Sequence, residues 1–107
     1  LTHWARDRAR GPKLSIEEAV RMQTTATAAV MGLSDRGEVA EGKRADINVI
    51  DFQNLRLNAP HAENDLPAGG RRILQSADGY VATIVNGAIT RRNGVDTGAR
   101  PGRLVRA

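Results

Sequence analysis

Residues 35–51 read DRGEVAEGKRADINVID, and this stretch is the most informative about the fold. Gly37 and Gly42 mark two turns, and the apolar residues that follow run into an acid, Asp51. Turn residues followed by a short run of β-branched residues are typical of the entry to a β-strand. The stretch therefore predicts the beginning of a small β-rich unit, with a firm strand over residues 47–52.

A second turn signal lies further along the chain, at Asn86-Gly87. Both central residues of a type I′ turn need a positive φ, which Asn and Gly tolerate best. The apolar runs on either side, residues 80–85 and 88–91, therefore predict a β-hairpin. Residues 38–40 are expected to form a short strand or the arm of a turn.

The residues between these strands are predicted to be mostly loop. Residues 54–79 contain two prolines, three glycines and few apolar side chains, a composition that interrupts regular structure. Residues 72–75 suggest a brief edge strand. A long loop in a small domain usually lies across a partner surface. The tail, residues 94–107, is predicted to be extended and to be pinned by Leu104 and Val105.

The first residues of the chain are predicted to be helical. Residues 1–8 place Leu1 and Trp4 on one face of a helix, which Gly11-Pro12 ends. The chain begins with Leu1 rather than Met and has no cap before this segment. We therefore expect a piece excised from a longer protein.

Ser15 and Glu18 have the spacing of a capping box, in which each side chain satisfies a backbone N–H of the other residue. This pattern predicts a helix over residues 16–23. A second short helix is expected over residues 24–31, with Gly32 as its C-cap.

With 107 residues, the chain is long enough for one domain with a modest core. Only Trp4, Phe52 and Tyr80 are aromatic, so the core depends on Leu, Ile, Val and Ala, which bury less area per residue. Such a core is thin. We therefore expect the isolated chain to be marginally stable or to form a homo-oligomer that covers its apolar surface.

No cysteine is present, which excludes disulfides and thiolate metal sites. The longest apolar runs are far shorter than the ~20 residues that cross a bilayer, and residues 1–20 lack a signal-peptide core. We expect a soluble cytoplasmic protein with no membrane partner.

The net charge of +4 is unevenly distributed, because residues 34–70 are acidic and residues 71–107 are basic. Fourteen of the sixteen cationic residues are Arg, which suits pairing with carboxylates as well as contacts with phosphate. Few aromatic residues accompany these arginines for base stacking, so a solvated or docking role is favoured and no nucleic-acid partner is expected. A small basic nucleic-acid- or protein-binding α+β module is the alternative. The arginines concerned are Arg71, Arg72, Arg91, Arg92, Arg100, Arg103 and Arg106.

Several motifs follow one another in a fixed order: LSIEEAV at 14–20, a threonine-rich segment at 24–33, DRG at 35–37, GKRAD at 42–46, DLPAGG at 65–70, VNG at 85–87 and TGARPGR at 97–103. Each motif alone is weak, but their order resembles the C-terminal portion of the amidohydrolase superfamily. More narrowly, it resembles the N-acyl-D-amino-acid deacylases, or D-aminoacylases. One departure is Thr27, which lies near the place of a proline common in this branch.

The resemblance implies an α+β fragment. Residues 1–33 would form helices at the end of a (β/α)8 barrel, and residues 34–107 the C-terminal part of a small β-sandwich-type sheet. It also implies a parent enzyme in which a divalent metal, expected to be zinc, supplies the hydroxide that hydrolyses the amide C–N bond of an N-acyl amino acid. The family's metal histidines and catalytic aspartate have no match here. The expected partners are the remainder of the barrel domain and, for the parent enzyme, this small-molecule substrate.

The chain itself is therefore expected to be catalytically inert, with no catalytic residue, no metal ligand and no bound cofactor, while its substrate-binding residues stay unknown. A hydrolytic metal site needs three or four converging ligands. His3 and His61 are far apart in the sequence, and neither has a second histidine at helical or strand spacing. A surface or packing role is favoured for both, and a place near the substrate pocket stays open for His3.

Asp46 and Asp51 lie at the two ends of the predicted strand. Their separation places them on opposite faces and about 16 Å apart, which is too far for an acid–base pair. Asp46 is instead expected to fix a turn by accepting backbone N–H bonds.

The hydroxyl side chains and the one glycine–lysine pair also lack a catalytic context. Ser15 and the threonines of residues 24–27 have no neighbouring histidine that would activate them as nucleophiles. Gly42-Lys43 lacks the upstream glycine of a phosphate-binding loop and precedes a strand rather than a helix. Structural roles are expected for all of them.

Overall fold

The computed structural model describes residues 1–105, so Arg106 lies outside the described part. The chain is a small α+β unit with two α-helices and antiparallel sheets, as predicted at this level. Among residues 1–105, no helix has the length and apolar character needed to cross a membrane. The helices are a π-helix (Thr2–Asp7), α1 (Ile16–Gln23), α2 (Thr25–Val30) and a short 3-10 helix (Pro67–Gly69). The strands are β1 (Ile47–Ile50), β2 (Arg56–Leu57), β3 (His61–Leu66), β4 (Gly70–Leu74), β5 (Ala77–Asp78), β6 (Tyr80–Val85), β7 (Ala88–Arg92) and β8 (Val95–Asp96).

The π-helix and α2 lie where the sequence predicted helices. The helix predicted over residues 1–8 is a π-helix, in which the Arg8 N–H donates to the His3 carbonyl at 2.8 Å. Helix α2 is one residue shorter at each end than predicted. Its C-cap is Met31 rather than the predicted Gly32. Gly32 follows the cap, with a φ of 68° in the left-handed region that favours glycine.

Helix α1 has the predicted bounds and half of the predicted capping box. The Ser15 hydroxyl accepts the Glu18 N–H at 3.1 Å. The reciprocal half was wrong, because the Glu18 carboxylate accepts from Arg21 Nε at 2.8 Å and from its Nη2 at 2.9 Å. A charge-assisted pair one turn along the helix is stronger than a bond to a neutral backbone N–H.

The main sheet has four antiparallel strands in the order β1-β6-β7-β8. The hairpin turn is confirmed, since Asn86 and Gly87 have φ values of 48° and 80°. Strand β1 is shorter than the predicted range 47–52, because Asp51 accepts the Asn54 N–H at 3.3 Å and begins a turn. Residues 38–40 form no strand and lie among turns.

Residues 54–79 form strands rather than the predicted loop. Strand β2 pairs with β5 and β3 with β4, and between these pairs the Asn58 N–H donates to the Ser76 carbonyl at 3.0 Å. The result is one two-stranded ribbon over residues 56–78, which we call the arm. Every residue of β3 is exposed, so the arm lacks the apolar alternation by which a strand is detected in a sequence. The predicted edge strand over residues 72–75 largely coincides with β4.

The core is thin, as the composition indicated. Leu104 is 79% exposed and Val105 45%, so the expected pinning of the tail was wrong. The chain exposes 8282 Å², whereas a folded monomer of its mass is expected to expose about 5,800 Å². Its radius of gyration is 16.3 Å, against about 13 Å for a compact domain of this length. The buried apolar residues are Ala19, Ala28, Leu55 and Ala82.

Gly79 is the glycine at which a side chain would do most damage to the fold. Its φ is 94°, and a Cβ there would lie 2.6 Å from Leu55 Cα and 3.0 Å from the Asp51 carbonyl oxygen. We expect Gly79→Ala to lower the free energy of unfolding by roughly 2–5 kcal/mol, from backbone strain and overpacking together. Urea denaturation followed by circular dichroism measures this loss.

Gly98→Ala is the matched control, because Gly98 has a φ of 82° and no atom within 4 Å of the added Cβ. We expect it to lose only about 1–2 kcal/mol, from strain alone. Equal losses of unfolding free energy in the two variants would show that the close contact with Leu55 does not contribute to the destabilisation.

Candidate functional site

An open cleft of about 560 Å³ lies between α1 and the main sheet. Val20 contributes to one wall and Ile47 to the other, so each wall carries an apolar side chain. By shape it is the candidate functional site. Its polar side chains are Glu17, Arg21, Gln23, Thr24, Thr25, Glu38, Asp46, Asn48 and Tyr80.

Asp35, two residues before Gly37 in the wall of the cleft, is tied to two arginines. The Asp35 carboxylate accepts from Arg36 Nε and from Arg44 Nε, each at 2.9 Å. The hydrogen bond from Arg36, followed by the contacts with Arg44, lowers the pKa of Asp35 below its usual value. A carboxylate held ionised in this way is a structural anchor and a poor general base at neutral pH.

The structure does not bring Asp46 and Asp51 together as a catalytic pair. Asp46 accepts a backbone N–H, as expected, but the donor is Asn86, at 2.8 Å from Oδ1. The turn it holds is therefore that of the distant β6–β7 hairpin and not the turn before β1. Asp51 accepts from Asn54, at 2.7 Å from the side-chain Nδ2. Hydrogen bonds from the Asn54 side chain and then its backbone lower the pKa of Asp51. Both carboxylates hold turns.

The two histidines lie in different parts of the molecule. The His3 ring is exposed and packs edge-on against Trp4, with 5.2 Å between the ring centroids. His61 begins β3 in the exposed arm, with its Nε2 3.6 Å from Glu63. Both have the surface or packing surroundings that the sequence favoured. The place of His3 near a substrate pocket stays a prediction.

The hydroxyl groups bind the backbone. Thr24 donates to the Val20 carbonyl at 2.8 Å, and Thr25 donates to the Gly37 carbonyl at 2.7 Å. Lys43, the lysine of the glycine–lysine pair, donates to the Ser34 carbonyl at 2.6 Å and lies 3.1 Å from Glu38. These contacts tie loops together and leave no arrangement of nucleophile and base.

A metal centre does not fit the described residues. Among residues 1–105, no three His, Cys, Asp or Glu side chains converge closely enough to hold a metal ion. Two carboxylates in this region are paired with basic side chains, Asp35 with Arg36 and Arg44, and Glu38 with Lys43.

The arginines that raised the nucleic-acid hypothesis are partly engaged within the chain. Arg72 makes a two-pronged ion pair with Asp65, and Arg100 makes one with Asp96 at 2.9 Å. Arg106 lies outside the described residues. Among residues 1–105, seven arginines pair with carboxylates, and two of these, Arg72 and Arg100, belong to the set that raised the hypothesis. Ion pairs are formed by Arg6, Arg21, Arg36, Arg44, Arg56, Arg72 and Arg100.

Sequence reasoning missed one contact, that of Arg6 with a distant turn. The Arg6 guanidinium donates to carbonyl oxygens of Phe52 and Leu55, which lie 46 and 49 residues later. No local motif signals such a pairing, because its acceptors are backbone atoms that any residue type supplies.

Comparison with known proteins gives one match. The sequence model of a family described as "Amidohydrolase family" matches residues 1–91. No curated protein and no solved structure matches the chain. The matched residues include the cleft, the arm and the β6–β7 hairpin as far as Arg91.

Removing the Asp46 carboxylate is expected to loosen the hairpin. Asp46→Ala leaves the Asn86 N–H without its acceptor and should lower the free energy of unfolding by about 1–2 kcal/mol. Asp46→Asn keeps an oxygen acceptor and should lose less. Urea denaturation distinguishes the two, with Glu41→Ala as the exposed control. A loss in Asp46→Ala no larger than that in Glu41→Ala would refute the anchoring role.

The pH dependence of unfolding is expected to report the ion pair after β8. The hydrogen bond from Arg100, and then that from the Gly98 N–H, lowers the pKa of Asp96 from 3.8 to about 2. A carboxylate with a lowered pKa stabilises the folded chain fully above its unfolded pKa, and loses that effect as the pH falls through its folded pKa. The thermal midpoint should therefore fall between about pH 4 and pH 2. Asp96→Asn should make this fall shallower, whereas Glu41→Gln should leave it unchanged, and the reverse order would contradict the assignment.

Proposed function

Because this chain belongs to the amidohydrolase family, we propose that it is the C-terminal portion of a metal-dependent enzyme similar to the N-acyl-D-amino-acid deacylases. The reaction proposed for the parent enzyme is hydrolysis of the amide C–N bond of N-acyl amino acids. The observation that supports this most is the family match over residues 1–91, together with the ordered D-aminoacylase-like motifs that extend to residue 103.

On this proposal the chain braces the enzyme rather than performing its chemistry. Residues 1–33 end the barrel domain, and residues 34–107 contribute to a small β-domain. Three observations support a bracing role: the thin core, the excess of exposed surface, and the unpaired outer edge of β1. Unpaired strand edges and exposed apolar residues are what a neighbouring polypeptide covers in a larger assembly.

The reacting groups belong, on this proposal, to other parts of the parent enzyme. The residues described here do not fit a metal centre. The divalent metal, with zinc expected, would be bound elsewhere, and this chain would be inert in isolation. The proposed partners are the remainder of the barrel domain, the N-acyl amino acid and a further copy of the enzyme, in the cytoplasm.

The reading frame that encodes this chain provides the first test. A Ser-Asp-Gly-Gly-like stretch just before Leu1, and a His-x-His motif further upstream, are expected. If neither motif precedes the chain, its proposed parent is wrong.

The second test is the activity of the full-length parent protein. With zinc, it should release the free amino acid from an N-acetyl-D-amino acid faster than from the L-enantiomer, as measured by chiral chromatography. The 107-residue chain should show neither release nor zinc binding by calorimetry. If both upstream motifs are present but the enzyme shows no preference for the D-enantiomer, the assignment to the family stands and the proposed substrate class is wrong.

A further inference from the structure

The side chain of Arg6 joins the N-terminal π-helix to the turn that follows β1. Its Nη1 donates to the carbonyl oxygens of Phe52 and Gln53, at 3.0 Å for Gln53, and its Nη2 donates to the Leu55 carbonyl at 2.7 Å. Within the π-helix, the same guanidinium donates to the two carboxylate oxygens of Asp7, at 2.6 and 3.0 Å. The Arg6 side chain is only 25% exposed.

All the hydrogen-bonding capacity of this guanidinium is used. Arginine has five N–H donors in a rigid planar fork, and five acceptor contacts are present. The guanidinium also lies over the Phe52 ring, 5.5 Å from its centroid. The Asp51 carboxylate accepts two hydrogen bonds from Asn54 and so closes the same turn. The carbonyl groups of that turn are thereby held in place to accept from Arg6.

Little apolar surface is buried between the helices and the sheet. Within residues 1–105, the buried apolar residues are three alanines and Leu55, and the closest backbone neighbours of α1 are α2 and the π-helix. The open cleft lies between α1 and β1. A further polar contact lies near α2, where Thr25 donates to the Gly37 carbonyl at 2.7 Å.

We infer that Arg6 is a polar clasp, which holds the N-terminal helical segment on the β-unit in place of an apolar core. Lysine cannot replace it, because three donors on one nitrogen atom cannot span the turn carbonyls and both oxygens of Asp7. A clasp made of hydrogen bonds at a partly exposed site opens without exposing a core. The N-terminal segment can therefore detach while the sheet stays folded.

Amide hydrogen exchange in the 107-residue chain, measured by NMR, tests this clasp. The amides of Arg8 and Leu14, which donate to His3 and Trp4, report on the N-terminal segment. Those of Gly87 and Asn93 report on the main sheet. In Arg6→Lys we expect the first pair to exchange about tenfold faster or more, since hydrogen bonds to a charged group are lost, while the sheet amides keep their rates.

Arg10→Lys is the matched control, because Arg10 lies on the same segment and is exposed. Its exchange rates should match those of the unmodified chain at all four amides. Arg6→Ala should accelerate exchange at least as much as Arg6→Lys. If Arg6→Ala unfolds the whole chain, the exchange rates of Arg6→Lys alone decide whether Arg6 acts as a clasp. Unchanged exchange at Arg8 and Leu14 in Arg6→Lys would overturn the clasp, and so would equal acceleration in Arg10→Lys.

Discussion

Two hydrogen bonds that join the β6–β7 turn to residues 45 and 46 set the geometry on which the main sheet depends. The Asn86 N–H donates to the Asp46 carboxylate at 2.8 Å, and the Gly87 N–H donates to the Ala45 carbonyl at 3.0 Å. They place the end of the hairpin beside the residues that lead into β1, so that Ile47 lies opposite Ile84. A slip of one residue would turn each apolar side chain of β1 to the other face, so these bonds select the register.

The parts of the fold that short-range signals control could be predicted from the sequence. The Ser15 cap, the Gly32 stop and the Asn86-Gly87 turn depend on residues within a few positions of one another, and all three are present. Most of the arm could not be predicted, because its longest strand, β3, is exposed along its whole length and shows no apolar alternation. The same limit applies to the candidate site. The turn-fixing role of Asp46 follows from its residue type, whereas the contacts of Arg6 are set by a fold that brings distant backbone atoms together.

The chain buries little apolar surface for its length. A chain of this length that folded alone would bury more of its apolar surface and leave fewer strand edges open. Within residues 1–105, the buried apolar residues are three alanines and one leucine, whose burial releases little hydrophobic free energy. The conformational entropy lost on folding depends on the number of ordered residues, so it does not fall with the size of the core. The neighbouring polypeptide of the proposed parent enzyme would cover the open edges and the exposed apolar surface.

The arginines explain how a unit with so small a core keeps a defined shape. Asp65 pairs with Arg72 near the tip of the arm, Asp78 with Arg56 at its base, and Asp96 with Arg100 after β8. Exposed ion pairs of this kind contribute little to stability, with a median of about 0–1 kcal/mol. The planar, two-pronged geometry of the Arg72 and Arg100 pairs nevertheless fixes the orientation of the groups they join. Ion pairs therefore set the local shape of the turns and the arm, while burial against another polypeptide would supply the free energy that keeps the whole unit folded.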